Sequence, residues 1–342
     1  MENIEREKFW KVLCSLKGVN IEEDINQITS VIKYPKYICR YRPINTRNIE
    51  ALQSNSLYFS SAIHYDDPFD TLIKVDWKEI ECILNGNRSD LTEKVDKIEE
   101  LLKSNGIDIS IRKDVELFSK MDDKILLGNI VSKIRNDIRP KLQSNSYSIC
   151  FSEDFNNENL WLKYADNHKG FCLVYDLEDN DKLLCGKEEK CKKCISNVSK
   201  SLYPVYYSNE KYDATEYAIK QGIFSALYEK TKDLNLGLKL EKVLPATWEY
   251  EKVSLIKHKC HEYDKEWRMI LPMINTKDPI QCKWIPHSVI IGLRTKFEDE
   301  KLIVRSAIYA GIKNIYKTYI DINDDLNIYE YDKNIINSFI NK

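Results

Sequence analysis

Alternation of apolar and polar positions marks a series of short strands along the chain. Tyr37-Ile38-Cys39-Arg40-Tyr41-Arg42 places Arg40 and Arg42 on one face, because side chains two apart on a strand point the same way. In Glu266-Trp267-Arg268-Met269-Ile270-Leu271, Glu266 and Arg268 share one face while Trp267, Met269 and Leu271 take the other. This is the pattern of a sheet with a core on one side and a cleft or solvent on the other. Leu57-Tyr58-Phe59, the run ending at Ser152, Cys172 to Tyr175, Val205 to Tyr207 and Ser288 to Leu293 read as further strands.

Helical spacing occupies much of the rest. Residues 1–34 predict N-terminal helices: Phe9, Trp10, Val12, Leu13 and Leu16 form a stripe that stops at Gly18, and a second helix runs from Ile21 to Ile32. Asn45-Thr46 caps a short helix through Ile49, Ala51 and Leu52. Residues 78–143 read as a helical insertion, with Leu91, Val95, Ile98 and Leu102 on one face, then Leu127, Ile130, Ile134 and Ile138 on another before Pro140 ends the pattern. Residues 178–200 form a charged, Cys-containing segment expected as an exposed loop or short helix. Further helices are predicted from Ala214 to Lys230 and from Asp299 to Ala310. Strands and helices out of strict alternation predict an α+β fold around a mixed β-sheet, as a single domain over residues 1–342.

Composition narrows the function classes. With 52 Lys+Arg against 54 Asp+Glu there is no overall field drawing the chain to nucleic acid or membrane. An acidic, mixed-charge start and the lack of a bilayer-length apolar run predict a cytoplasmic protein with no membrane partner. Of 10 cysteines most sit singly in apolar runs and are expected as reduced, buried thiols. Cys185, Cys191 and Cys194 could hold zinc with Cys260, His258 or His261, but lysines crowd the segment and no metal is expected. His261-Glu262 begins like a zincin motif, yet Lys265 stands where the second histidine belongs. The glycine-rich and nucleophile-elbow signatures are absent.

Several motifs occur in a fixed order: Tyr37 to Arg42, Leu57-Tyr58-Phe59-Ser60, Tyr65-Asp66-Asp67-Pro68-Phe69-Asp70, Cys150-Phe151-Ser152, Trp161 through Tyr164-Ala165 and His168 to Gly170 and Cys172, then Glu266-Trp267-Arg268. Together they resemble the bacterial family known as domain of unknown function 2971, with Tyr65-Asp66 in place of its usual Phe-Asn and Arg40 in place of its usual Lys. That resemblance implies a family without implying a reaction.

A looser resemblance, in layout alone, is to the ADP-ribosyltransferases, which carry an Arg or His, a hydroxyl or Tyr, and a Glu on successive strands. It implies Glu266, Arg42 and Tyr58 as catalytic residues converging on one cleft, with NAD as substrate. Glu266 would stabilise a cationic ribose and Arg42 would hold the pyrophosphate. Trp161 or Tyr164 would stack on nicotinamide, and Arg40, Ser60, His168 and Arg268 complete the binding set. The target would be an unknown protein or nucleic acid, as for a toxin or phage-defence effector with a neutralising partner protein. From the residues themselves two alternatives stay open. One is a non-catalytic module in which Arg40, Arg42 and Arg268 recognise a nucleotide or phosphate and signal to a partner. The other is a nucleic-acid-processing enzyme, which the balanced charge counts against. His168 and Asp67 can equally serve as turn-forming residues.

Overall fold

Most of the predicted strands assemble into a nine-stranded sheet among the described residues, while those at Leu57 and Tyr206 pair in smaller sheets. The computed structural model describes residues 1–16, 20–76, 134–178, 183–185, 201–218, 248–272 and 281–340, with isolated positions between 78 and 132. In chain order the sheet strands are β1 (Tyr37–Arg42), β2 (Ser60–Ser61), β3 (Ser146–Ser152), β4 (Phe171–Asp176), β5 (Leu202–Pro204), β6 (Glu266–Pro272), β7 (Ser288–Ile291), β8 (Asn314–Ile320) and β9 (Leu326–Glu330). Their spatial order is β9-β8-β7-β4-β1-β3-β6-β5, with β2 also against β3. Only β7 and β8 run parallel, joined through a helix, so the fold is α+β with a mixed sheet.

β3 is where the sheet divides. Along one edge it pairs with β6 over its whole length, Ser152 opposite Glu266 and Cys150 opposite Arg268. Its other edge is shared by two strands: β1 meets it at Cys39 opposite Ser152, and β2 at Ser60 opposite Ser148 and Ser61 opposite Tyr147. The sheet therefore forks, with residues 149 to 151 at the crotch.

Helices form because their apolar spacing matches the sheet's apolar face. The helices are α1 (Asn3–Ser15), α2 (Ile21–Ser30), α3 (Thr46–Gln53), α4 (Arg139–Ser144), α5 (Glu158–Tyr164), α6 (Glu249–Ser254), α7 (Phe297–Tyr309) and α8 (Lys333–Ile340). Asn20, Asn45 and Asn157 begin α2, α3 and α5 by accepting the backbone N–H three residues on. The main core unites Phe9 and Leu13 of α1, Ile49 and Leu52 of α3, and Ile303 and Val304 of α7 with Phe151, Phe171, Leu173, Tyr175, Trp267 and Met269 on one face of the sheet. A smaller cluster of Cys39, Tyr41, Cys172 and Val174 with Leu160 and Trp161 of α5 lies on the opposite face.

A second, three-stranded sheet of Ser56–Tyr58, Gln281–Trp284 and Leu183–Cys185 contributes Leu57, Cys282 and Trp284 to the main core. Leu183–Cys185 corrects part of the expected loop at 178–200: these residues pair with Gln281–Trp284, and their Leu-Leu-Cys sequence suits a strand better than its charged flanks suggest. Pro140 also differs from expectation: a π-helix over Ile134–Ile138 runs directly into α4, so the chain is helical on both sides of the proline and the helical pattern does not end there. Apart from residues 134–143 and isolated positions, the predicted insertion lies outside the described residues, as do most of the Ala214–Lys230 helix and Cys191 and Cys194.

Two glycines let the motif segment after α5 approach the sheet. A Cβ on Gly170 would lie 2.1 Å from the Arg42 carbonyl oxygen and one on Gly292 2.3 Å from the His168 carbonyl oxygen, contacts that only backbone movement could relieve. Gly170→Ala should lower stability by about 2 kcal/mol or more, read as a shift in the urea midpoint at constant m-value. A midpoint within error of wild type would show that β1 and the Gly170 segment are not held in this contact.

Candidate functional site

Register decides which predicted site residues can meet. Cys39, Ser152 and Glu266 are in line across β1, β3 and β6, so their side chains share a face, whereas Arg40 and Arg42 point to the other. Arg42 lies opposite Phe171 and Arg40 opposite Leu173, both part of the main core. The expected convergence of Arg42, Tyr58 and Glu266 is therefore corrected. Each strand's internal alternation was right, but the relation between strands depends on register, and that places Glu266 and Arg42 on opposite faces.

On its own face Glu266 is buried and fully engaged. Its Oε1 accepts from Arg268 Nε at 2.7 Å and its Oε2 from Lys257 Nζ at 2.8 Å. Arg268 makes a two-pronged contact with Asp70, at 3.1 and 2.6 Å, and donates to the Ser254 carbonyl at 2.7 Å. Lys257 also reaches Asp264 at 2.8 Å. Burial alone would raise the Glu266 carboxyl, but Arg268 and Lys257 outweigh it and hold it well below the usual carboxylate range. Burial opposes charge on Arg268 too, and Asp70 and Glu266 raise it nonetheless. These contacts are short and charge-assisted, and each carboxylate oxygen of Glu266 is engaged by a cation. Glu266 is thus a counter-ion at the centre of a closed network.

The other residues expected in the cofactor set divide between the faces. Ser60, opposite Ser148, is on the Glu266 face. Tyr164 lies in the field of Lys257, Asp264 and Glu266, and burial pushes its phenol upward. Trp161 is buried in the small cluster, its ring 6.2 Å from that of His168 and its indole N–H donating to the Phe155 carbonyl. His168 is the last of three consecutive residues, with Asp166 and Asn167, at positive φ; its N–H donates to the Trp161 carbonyl and its carbonyl accepts from Arg294 N–H. These backbone bonds are those of a turn residue.

The network continues to a cavity of about 270 Å³ lined by Asp67, Phe69, Ile256, Lys257, His258 and His261 among others. His261 Nε2 is 3.3 Å from Asp67 and its Nδ1 3.8 Å from Asp264. Burial and the nearby Lys257 push the imidazole downward. Among the described residues no group of three or more His, Cys, Asp or Glu is gathered to hold a metal ion.

Arg40 and Arg42 present the opposite situation. Neither makes an ion pair with a carboxylate among the described residues, and the groups in their field are Tyr175, Cys150 and a third cation, Arg47 of α3, with Cys282 also near Arg40. Burial, then Arg40, pushes the Arg42 guanidinium down to about 9, and burial lowers Arg40 as well. The Arg40 Nη1 atom is buried and without a hydrogen-bond partner, as is the Trp284 indole Nε1. Both side chains adjoin Phe151, the Arg40 Cζ at 6.0 Å from its ring centroid and the Trp284 ring at 6.0 Å. Arg47 is exposed, with its Cζ 5.8 Å from the Tyr58 ring, and Tyr58 meets this group through Arg47.

Sequence reasoning missed Arg47, Trp284, Lys257 and the role of Asp70. Asp70 was visible as the last residue of the Asp67-Pro68-Phe69-Asp70 turn, and a lone buried arginine on β6 calls for such a carboxylate. Nothing in the local sequence around Arg47 or Trp284 ties either to Arg40.

The arrangement defines an α+β protein with a paired ionic centre on one sheet face and a cluster of arginines without carboxylate partners among the described residues on the other. Residues 160–269, from α5 through β6, match the family described as protein of unknown function (DUF2971). No curated protein and no solved structure matches the chain. Arg268 and Glu266 fall inside the matched stretch, and Arg40, Arg42 and Arg47 precede it. No helix among the described residues is long and apolar enough to cross a membrane.

The two faces should respond in opposite ways to loss of charge. Arg268→Met leaves Asp70 and Glu266 buried without their cation and should cost about 3 to 5 kcal/mol in urea unfolding. Arg42→Gln removes a cation with no counter-ion and should leave stability unchanged or higher. Equal losses in the two variants would show that Arg42 has a partner as strong as Asp70.

Proposed function

We propose that this protein is a binding module for a nucleotide or another small phosphorylated ligand, held by Arg40, Arg42 and Arg47. The observation that carries this reading is the absence of any carboxylate partner for three neighbouring guanidiniums among the described residues, one of them with a buried donor atom unused. Desolvating cations without compensation is costly, and an anionic ligand would offset that cost. Guanidiniums are matched to phosphate by their fork of N–H donors.

The reading retains the non-catalytic alternative drawn from the sequence and replaces Arg268 by Arg47, since Arg268 is consumed by Asp70 and Glu266. An NAD-consuming transferase needs a free carboxylate beside the arginine that holds the pyrophosphate. Glu266 is on the other face with both oxygens engaged, so the geometry favours binding over that chemistry. A partner protein that reads the liganded state is part of this proposal.

Millimolar phosphate should raise the melting temperature of the wild-type chain and give a measurable calorimetric heat, and Arg40→Gln should weaken binding by tenfold or more. The pH dependence follows from Arg42. An anion favours its protonated form, so affinity is full below about 9 and declines as pH rises through that value, with proton uptake on binding. Absence of any anion-induced shift or heat would defeat the module reading, and nicotinamide release from NAD by the purified protein would restore the transferase.

A further inference from the structure

We infer that the Arg40–Arg42–Arg47 cluster takes the terminal phosphate of a phosphate monoester, inserted head first, and excludes phosphodiesters and mid-chain pyrophosphates. This rests on the anion-binding reading above and narrows its ligand class. Three observations carry it: the number of cations, the burial of the unused donors, and the packed aromatic rings beside them.

The cation count favours a dianion. Arg40, Arg42 and Arg47 lie within one another's field, and no carboxylate among the described residues offsets them. A monoester carries close to two negative charges at neutral pH, whereas a diester carries one.

The donors are graded by depth. At the bottom, the Arg40 Nη1 and the Trp284 Nε1–H are both buried and both lack an acceptor. Arg40 and Arg42 themselves are half-buried, and Arg47 is exposed beside half-buried Tyr58. Two orphaned donors in one apolar setting ask for oxygen atoms delivered to that depth. A terminal phosphate has three such oxygens opposite its ester linkage, so it can satisfy Arg40 and Trp284 while the organic part of the ligand remains beside Arg47 and Tyr58.

Packed aromatic rings adjoin Arg40. Phe151, Tyr175 and Trp284 pack on one another, with ring centroids at 5.6 Å for Phe151–Tyr175, 6.0 Å for Phe151–Trp284 and 4.8 Å for Tyr175–Trp284. All three belong to the main core. A diester has substituents on two sides, and seating its anionic oxygens on Arg40 would bring the second substituent against those packed rings. The side chains of Trp161 and Tyr164, being on the far side of the sheet, cannot stack on a base carried by this ligand.

The test is calorimetry at pH 7.5 and low salt on the full chain with four probes: inorganic phosphate, adenosine 5′-monophosphate, adenosine 3′,5′-cyclic monophosphate and NAD. Inorganic phosphate and the 5′-monophosphate should bind, and the cyclic diester and NAD should bind at least tenfold more weakly. Trp284→Phe, which keeps a ring and removes the N–H, should weaken 5′-monophosphate binding severalfold, and Arg40→Gln should weaken it tenfold or more with the fold intact by circular dichroism. Binding of the cyclic diester or NAD as tight as that of the 5′-monophosphate overturns the monoester inference and leaves the anion-binding reading standing. No heat with any probe overturns both. Wild-type affinity in Arg40→Gln places the phosphate elsewhere and overturns the inference.

Discussion

Arg268 is the constraint around which one side of this molecule is built. A guanidinium buried at the centre of a sheet is tolerable only if its donors are satisfied and its charge is met, and removing such a group from water otherwise costs several kcal/mol. Asp70, Glu266 and the Ser254 carbonyl together meet that demand. In doing so they draw the turn after β2, the β6 strand and the C-terminal end of α6 to one point. Tyr65, from the same turn, lies over the guanidinium with its ring 5.2 Å from the Arg268 Cζ and exchanges a short hydrogen bond with Ser148 of β3. The aspartate of the Asp67-Pro68-Phe69-Asp70 motif and the arginine of the Glu266-Trp267-Arg268 motif are thus one ion pair in the fold.

A network this complete has little left to offer a ligand. Glu266 has both oxygens occupied, Lys257 bridges two carboxylates, and their shifts keep the charges fixed across the neutral range. Glu266, held low, contributes stability that is present above its unfolded value and lost only as pH falls through its lower folded value. Lys257, held high by Glu266 and Asp264 against its burial, loses its contribution only as pH rises far above neutrality. The arginine cluster on the other face has the reverse character. Arg40 and Arg42 are neither paired with a carboxylate among the described residues nor fully solvated, which is unfavourable in the absence of a counter-anion.

Much of the fold was legible because strand and helix periodicities are local. The strands at Tyr37–Arg42 and Glu266–Pro272, the Asn45 cap of α3 and the stripe of α1 follow from residues within a few positions of one another. What could not be read is what depends on two distant segments at once. Alternation within β1 correctly pairs Arg40 with Arg42, and within β6 Glu266 with Arg268, but a single residue of register decides whether those pairs face one another. The third cation comes from α3 and the orphaned indole from the strand at Gln281–Trp284, and neither position carries a local mark of its role. Leu183–Cys185 was hidden for a related reason: three residues in a charged setting become a strand only because Gln281–Trp284 offers them an edge.

The fork in β3 explains how opposite electrostatic regimes coexist so close together. Where β1 and β2 separate, Cys150 sits in the field of Arg40 on one side and of Glu266 and Arg268 on the other. Burial, followed by Glu266, pushes its thiol up to about 11, so the residue stays neutral at physiological pH. A carboxylate at that position would pair with Arg40 and neutralise the cluster, and a cation would compete with Arg268 for Glu266. A small, neutral, weakly hydrogen-bonding side chain does neither. It adds no charge to either system, so the ionic face stays balanced and the arginine face keeps its charge.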